Sequence, residues 1–63
     1  MPEARINSAL GQRVRELRLS RGFSLSALAA AARVGKGSLS ELESGARNPT
    51  LATLQGVLRA VGL

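Results

Sequence analysis

Apolar residues recur along the chain with the period of an α-helix, and glycines separate the periodic segments. The first segment runs from Asn7 or Ser8 to Arg21 and places Leu10, Val14 and Leu17 on one stripe. Gly22 follows, and glycine readily takes the left-handed backbone that ends many helices. The pattern predicts an amphipathic helix that keeps most of its arginines off the buried stripe.

Two shorter segments follow. The second, Ser24 to Ala32, begins with a good N-cap residue, and the face that we expect to be buried holds Leu25, Leu28, Ala29 and Ala32. The third, Lys36 to Ser44, points Leu39 and Leu42 inward and is ended by Gly45.

The fourth segment begins after Asn48-Pro49, with Thr50 as its N-cap. One of its faces is apolar, and Gly62 is placed to end it; the residues of that face are Leu51, Leu54, Val57, Leu58 and Val61. No alternating strand pattern competes with the helical one. The chain is therefore predicted to be all-α, a compact bundle of four or five short helices in one domain (residues 1–63), with residues 1–7 as a flexible arm.

Composition excludes several functions. The chain lacks His, Cys, Asp, Tyr and Trp, which removes the usual general base and the imidazole and thiolate metal ligands. We expect neither an enzyme nor a cofactor or metal. No apolar run approaches the roughly 20 residues that span a bilayer, and the start does not resemble a signal peptide, so a cytoplasmic location is expected.

The net charge of +5 on 63 residues favours a polyanionic partner. Nucleic acid is the first candidate and an anionic membrane surface the second. The latter is weaker, because the basic first segment has a narrow apolar face without aromatic anchors. A further alternative is that the charges only keep an Ala/Leu-rich domain soluble.

The most informative stretch is SLSALAAAARVGKGSLSELESG, residues 24–45. Two short helices are joined there across Arg33-Val34-Gly35, and Ala29 is small enough for a close helix crossing. A helix-turn-helix requires this arrangement, with one face of its second helix left free for the major groove.

At these residues the chain resembles the Cro/phage-repressor (XRE-type) helix-turn-helix family, in a lambda-repressor-like bundle. The resemblance extends over LGQRVRELRLSRGFS before the motif and ARNPTLATLQGVLRAVGL after it. It implies sequence-specific binding to double-stranded DNA by a transcriptional regulator, most simply a repressor that binds a pseudo-palindromic operator as a homodimer. An antitoxin, or another protein-interaction module with autoregulatory DNA binding, is the alternative, with a toxin as its partner.

The resemblance also implies roles for individual residues. Base readout falls to the third segment, at Lys36, Gly37, Ser38, Ser40 and Glu41. Phosphate contacts are expected from Arg13, Ser24, Arg47 and Asn48, although each arginine can equally be a solvated charge.

Arg18 and Glu43 hold positions that form a salt bridge in this family; from the residues alone, both can be solvated surface charges. Three departures concern the motif itself. Leu25 stands where a polar residue often contacts phosphate, Arg33 replaces the usual turn glycine, and Gly35 is an unusual N-cap. Because a left-handed backbone is unfavourable for arginine, Gly35 offers another place to relieve the turn. The resemblance leaves open whether the chain is a minimal form or a fragment of a longer protein.

Overall fold

A computed structural model describes the backbone of residues 2–63 and the side chains of residues 8–63. This part of the chain is all-α, as predicted, and holds four helices: α1 (Pro2–Ser20), α2 (Leu25–Ala32), α3 (Lys36–Ser44) and α4 (Leu51–Ala60). The third helix, α3, packs against α1 and α2, and α2 also packs against α4. Within these bounds no helix combines the length and apolar character needed to cross a membrane.

The first helix begins earlier than the predicted Asn7 or Ser8. Its backbone is helical from Pro2, and the helix ends at Ser20 ahead of Gly22, whose φ is +75°. Proline suits the first turn of a helix, because its fixed φ is helical and its missing N–H has no partner there in any case. Residues 2–7, which were expected to form an arm, therefore continue α1 in the structure, and Met1 lies outside the described residues.

The core is formed by inward-facing residues of all four helices. These are Val14, Leu17, Leu28, Ala29, Leu39, Leu42, Val57 and Val61. The prediction that Leu51 shares the buried face of α4 is wrong, since Leu51 is 71% exposed. The buried residue of α4, Val57, lies in its second half, next to Gly56, where α2 comes close.

Close backbone contact between α1 and α3 is a feature that the hydrophobic pattern did not predict. Gly11 is buried, and a Cβ atom built on it would overlap the carbonyl oxygen of Leu42 and lie 2.7 Å from that of Glu43. One turn away, a Cβ on Gly45 would lie 2.9 Å from the Cα of Ser8. Because glycine has no Cβ at either position, the backbones of the two helices can come into van der Waals contact.

The turn between α2 and α3 passes through a left-handed residue, Arg33, with φ 59° and ψ 42°. The N–H of Val34 donates to the carbonyl of Ala29 at 3.0 Å, so the last turn of α2 closes as helix C-caps commonly do. Gly35 is extended, with φ −67° and ψ 144°, and precedes α3 as its N-cap. The expectation that Gly35 relieves the turn is therefore wrong, because the strained backbone lies at Arg33.

Candidate nucleic-acid interface

The third helix, α3, has one buried face and one open face. Leu39 and Leu42 are buried in the core. The residues predicted to read bases lie on the opposite side: Lys36, Gly37, Ser38 and Ser40 are exposed, and Glu41 is half-buried. A Cβ on Gly37 would meet no heavy atom within 4 Å, so the space in front of the first turn is empty.

An ion pair fixes the C-terminal half of α3 to α1. The Nε of Arg18 donates to Oε2 of Glu43 at 2.7 Å, and its Nη2 donates to Oε1 at 3.0 Å. The two side chains are only 11% and 8% exposed, and Nη1 of Arg18 also donates to the carbonyl of Phe23 at 3.0 Å. Arg18 thereby joins α3 to the connection between α1 and α2, which limits rotation of the open face.

The hydrogen bond to Glu43 raises the pKa of Arg18, and this effect outweighs the opposing effect of burial. The arginine is therefore charged under all ordinary conditions, and the bidentate geometry matches the planar fork of a guanidinium to a carboxylate. A pair this well shielded and this well hydrogen-bonded differs from exposed surface pairs, whose contribution to stability is small.

A second ion pair lies on the open side, between two residues that were assigned different roles. The Nε of Arg47 is 3.0 Å from Oε2 of Glu41, with side-chain exposures of 72% and 42%. Arg47 and Asn48 also line a shallow cavity together with Ser38 and Thr50. The structure thus brings the loop before α4 against the middle of α3, so that candidate base-reading and phosphate-binding residues are neighbours.

The other predicted phosphate-binding residues lie on different helices. Ser24 is exposed at the start of α2, and its Oγ accepts from the N–H of Ala27 at 3.0 Å, so its hydroxyl is already engaged in capping the helix. Arg13 lies on the outer side of α1, where its Nη1 is 3.3 Å from Oε2 of Glu16. Both side chains of that pair are more than half exposed, and solvent screens such a pair strongly.

Arg15 is a residue that the sequence analysis did not select. It is exposed and lines a cavity that also includes Leu25 of α2 and Ser40 of α3. The spacing signal was present, because Arg15 lies three residues before Arg18 and such residues share one side of a helix. Because Arg18 was expected to pair with Glu43 of α3, the same spacing predicts that Arg15 also lies on the side of α1 that faces α3.

In residues 8–63, every glutamate forms an ion pair, whereas most of the cations do not. Glu16, Glu41 and Glu43 each form an ion pair with an arginine. Five other cations in residues 8–63 have no acidic partner there: Arg15, Arg21, Arg33, Lys36 and Arg59. These five cations are therefore available to bind an external anion.

Comparison with known proteins agrees with this geometry. A family model described as helix-turn-helix matches residues 14–63, which include α2, the turn and α3. Over 54 residues the chain is 44% identical to a protein of Deinococcus deserti named HTH-type transcriptional regulator DdrOP3. That alignment includes 86% of this chain and 42% of the relative, so the chain spans less than half of the relative's length.

Proposed function

This chain belongs to the helix-turn-helix family, and on that premise we propose that it binds double-stranded DNA sequence-specifically as a transcriptional regulator, acting as a repressor. The observation that carries the proposal is the open face of α3, which Leu39, Leu42 and the Arg18–Glu43 pair hold in one orientation. A helix that is anchored to the core by one face and exposed on the other can enter the major groove and contact base edges.

Base readout is assigned to the open face of α3. Lys36, at the first position of α3, is exposed and has no acidic partner in residues 8–63, so its ammonium can donate to guanine O6 or N7. Ser38 and Ser40 offer hydroxyls that donate or accept, and Gly37 permits close approach of the backbone. Glu41 can accept from cytosine N4, and its ion pair with Arg47 places a positive charge beside this carboxylate.

Affinity comes from phosphate contacts around this face. Arg47 and Asn48 lie next to α3 in the loop before α4, and Ser24 lies at the start of α2, where unpaired backbone N–H groups attract anions. Arg13 is the weakest of these assignments, because it is not among the residues that line the two cavities next to α3. Since counterions are released when phosphates are neutralised, we expect affinity to fall steeply as salt rises.

A two-fold dimer would place two α3 helices about 34 Å apart, in successive major grooves of a pseudo-palindromic operator. Selection from random duplex DNA with the purified protein tests readout and spacing together. We expect an enriched sequence with two related half-sites about one helical turn apart. Recovery of duplexes without any shared sequence would refute sequence-specific binding.

Lys36→Ala tests the assignment of a single residue. We expect it to relax preference at one base position and to weaken binding of the selected site by about 1–3 kcal/mol. Arg59→Ala is the matched control, because it removes the same charge from an exposed cation on α4. Unchanged base preference in Lys36→Ala, or the same change in both variants, would contradict the assignment.

A protein partner is the second candidate function, and the exposed apolar side chain of Leu51 favours it. In this alternative the chain is an antitoxin or another interaction module that also binds its own operator, and the exposed first turn of α4 meets the partner. Co-purification of a stoichiometric protein from the native host, lost in Leu51→Ser, would support it. Because a regulator acts where the DNA is, the cytoplasm is its proposed location under both functions.

A further inference from the structure

The arginines of α1 whose side chains the structure describes, residues 13, 15 and 18, differ in whether a carboxylate pairs with them. Arg13 is paired with Glu16, and Arg18 is paired with Glu43. Arg15, between them in sequence, has no acidic partner in residues 8–63 and is exposed. Of these three cations, Arg15 is therefore the one for whose hydrogen-bond donors no carboxylate in residues 8–63 competes.

The position of Arg15 relates it to the open face of α3. It lines one cavity of about 190 Å³ with Leu25 and Ser40, and the Arg18–Glu43 pair forms part of the same wall. Leu25 is the first residue of α2, and Ser40 belongs to the predicted base-reading set. Arg15 thus lies at the junction of two helices, where one meets the DNA backbone and the other enters the groove in this docking geometry.

The local charges and donors favour phosphate as the ligand at this junction. Arg15, Arg18 and Glu43 sum to a charge of +1, and both carboxylate oxygens of Glu43 already accept hydrogen bonds from Arg18. Leu25 contributes no polar side-chain atom. The remaining polar side chains of this cavity are the hydroxyls of Ser40 and Ser44, so Arg15 is its principal free donor to an anion.

We propose that Arg15 binds a backbone phosphate of the DNA at the edge of the groove that α3 enters, and that it, rather than Arg13, supplies the phosphate contact of α1. The inference rests on the proposed DNA-binding function. The guanidinium fork matches two phosphate oxygens, and a guanidinium is more weakly hydrated than an ammonium, which favours this contact. The contact fixes the position of the protein on the duplex and carries no sequence information.

Arg15→Ala and Arg13→Ala form a matched pair for the test. Both remove one charge from an exposed position on α1, two residues apart, so their effects on net charge are equal. Anisotropy titrations of the full chain, with the selected duplex and with a scrambled duplex, should be run between about 50 and 200 mM salt. Thermal denaturation of each variant establishes that it is folded.

We expect Arg15→Ala to weaken binding to both duplexes by the same factor, about tenfold, and to reduce the salt slope by about 0.9. Arg13→Ala should leave the slope close to that of the parent protein. Ethylation interference adds a direct readout: one phosphate whose modification blocks the parent protein should lose its effect in Arg15→Ala only.

Three outcomes would overturn the inference. Equal slopes in Arg15→Ala and the parent protein would show that no phosphate is lost. Equal losses in both variants would show that only net charge matters, and a change of base preference in Arg15→Ala would show a base contact instead. If the parent protein binds no duplex at any salt concentration, the proposed function itself fails, which these three results do not imply.

Discussion

Adding one methyl group at Gly11 tests how tightly α1 and α3 are joined. In Gly11→Ala the new Cβ would overlap the carbonyl oxygen of Leu42 and lie 2.7 Å and 2.9 Å from the carbonyl oxygen and carbon of Glu43. All of these are backbone atoms of the last turns of α3, so no rotamer change can make room. The helices must separate, or the end of α3 must unwind.

Two effects of opposite sign decide how much Gly11→Ala changes the free energy of unfolding. Alanine is better than glycine inside a helix by about 1 kcal/mol. Overpacking of a well-packed site costs about 1–3 kcal/mol, and a clash with backbone belongs at the upper end. The net expectation is a loss of about 2 kcal/mol, from a total stability of about 3–9 kcal/mol for a chain of this length. For so small a domain, the melting temperature should fall by about 8–16 °C.

Far-UV circular dichroism during thermal and urea unfolding measures the change in the free energy of unfolding. Gly37→Ala is the control. A Cβ at Gly37 meets nothing within 4 Å, so this variant should become more stable by up to about 1 kcal/mol. Gly56→Ala should lie between the two, because its Cβ would be 3.1 Å from the carbonyl oxygen of Ala32. If Gly11→Ala proved as stable as the parent protein or more so, the close approach of α1 to α3 would be refuted.

Two further predictions concern single contacts described above. Arg33→Gly should stabilise the fold by about 1 kcal/mol, because it relieves the left-handed backbone, whereas Arg33→Ala keeps the strain and should give no such gain in urea unfolding. Arg18→Ala and Glu43→Ala should each cost about 3 kcal/mol, since each leaves a shielded charge unpaired, and a double-mutant cycle should show a coupling of more than 1 kcal/mol. Additive losses in that cycle would contradict the pair. Because its pKa is raised, the contribution of Arg18 should be constant through the neutral range and be lost as pH rises into the strongly alkaline range.

The helices that carry the motif could be predicted from local signals. Ser24 and Thr50 cap α2 and α4 through their side-chain oxygens, and Gly45 ends α3 in a left-handed conformation, as the residue types indicate. The alternation of buried and open positions along α3 also follows from its 3.6-residue period. These features depend on residues a few positions apart, which sequence reasoning can evaluate.

The features that were missed depend on contacts between distant residues. Gly11 interrupts a helical pattern without any local reason, and only the packing of α3 explains it. Leu51 fits the apolar face of its own helix, yet the structure leaves it exposed. The prediction for the turn failed for the opposite reason: the cost of a left-handed arginine was treated as decisive, yet Arg33 takes that conformation as the C-cap of α2.

The division of α3 into a packed side and a bare side has a consequence for how such a domain can be retargeted. Leu39 and Leu42 support the helix from within, whereas Lys36, Ser38 and Ser40 contribute little to folding stability because they are exposed. Substitutions at exposed sites of this kind usually change stability by about 0.5 kcal/mol or less. The exposed residues that we propose to read bases can therefore be substituted, in evolution or by design, while the fold that presents them stays intact.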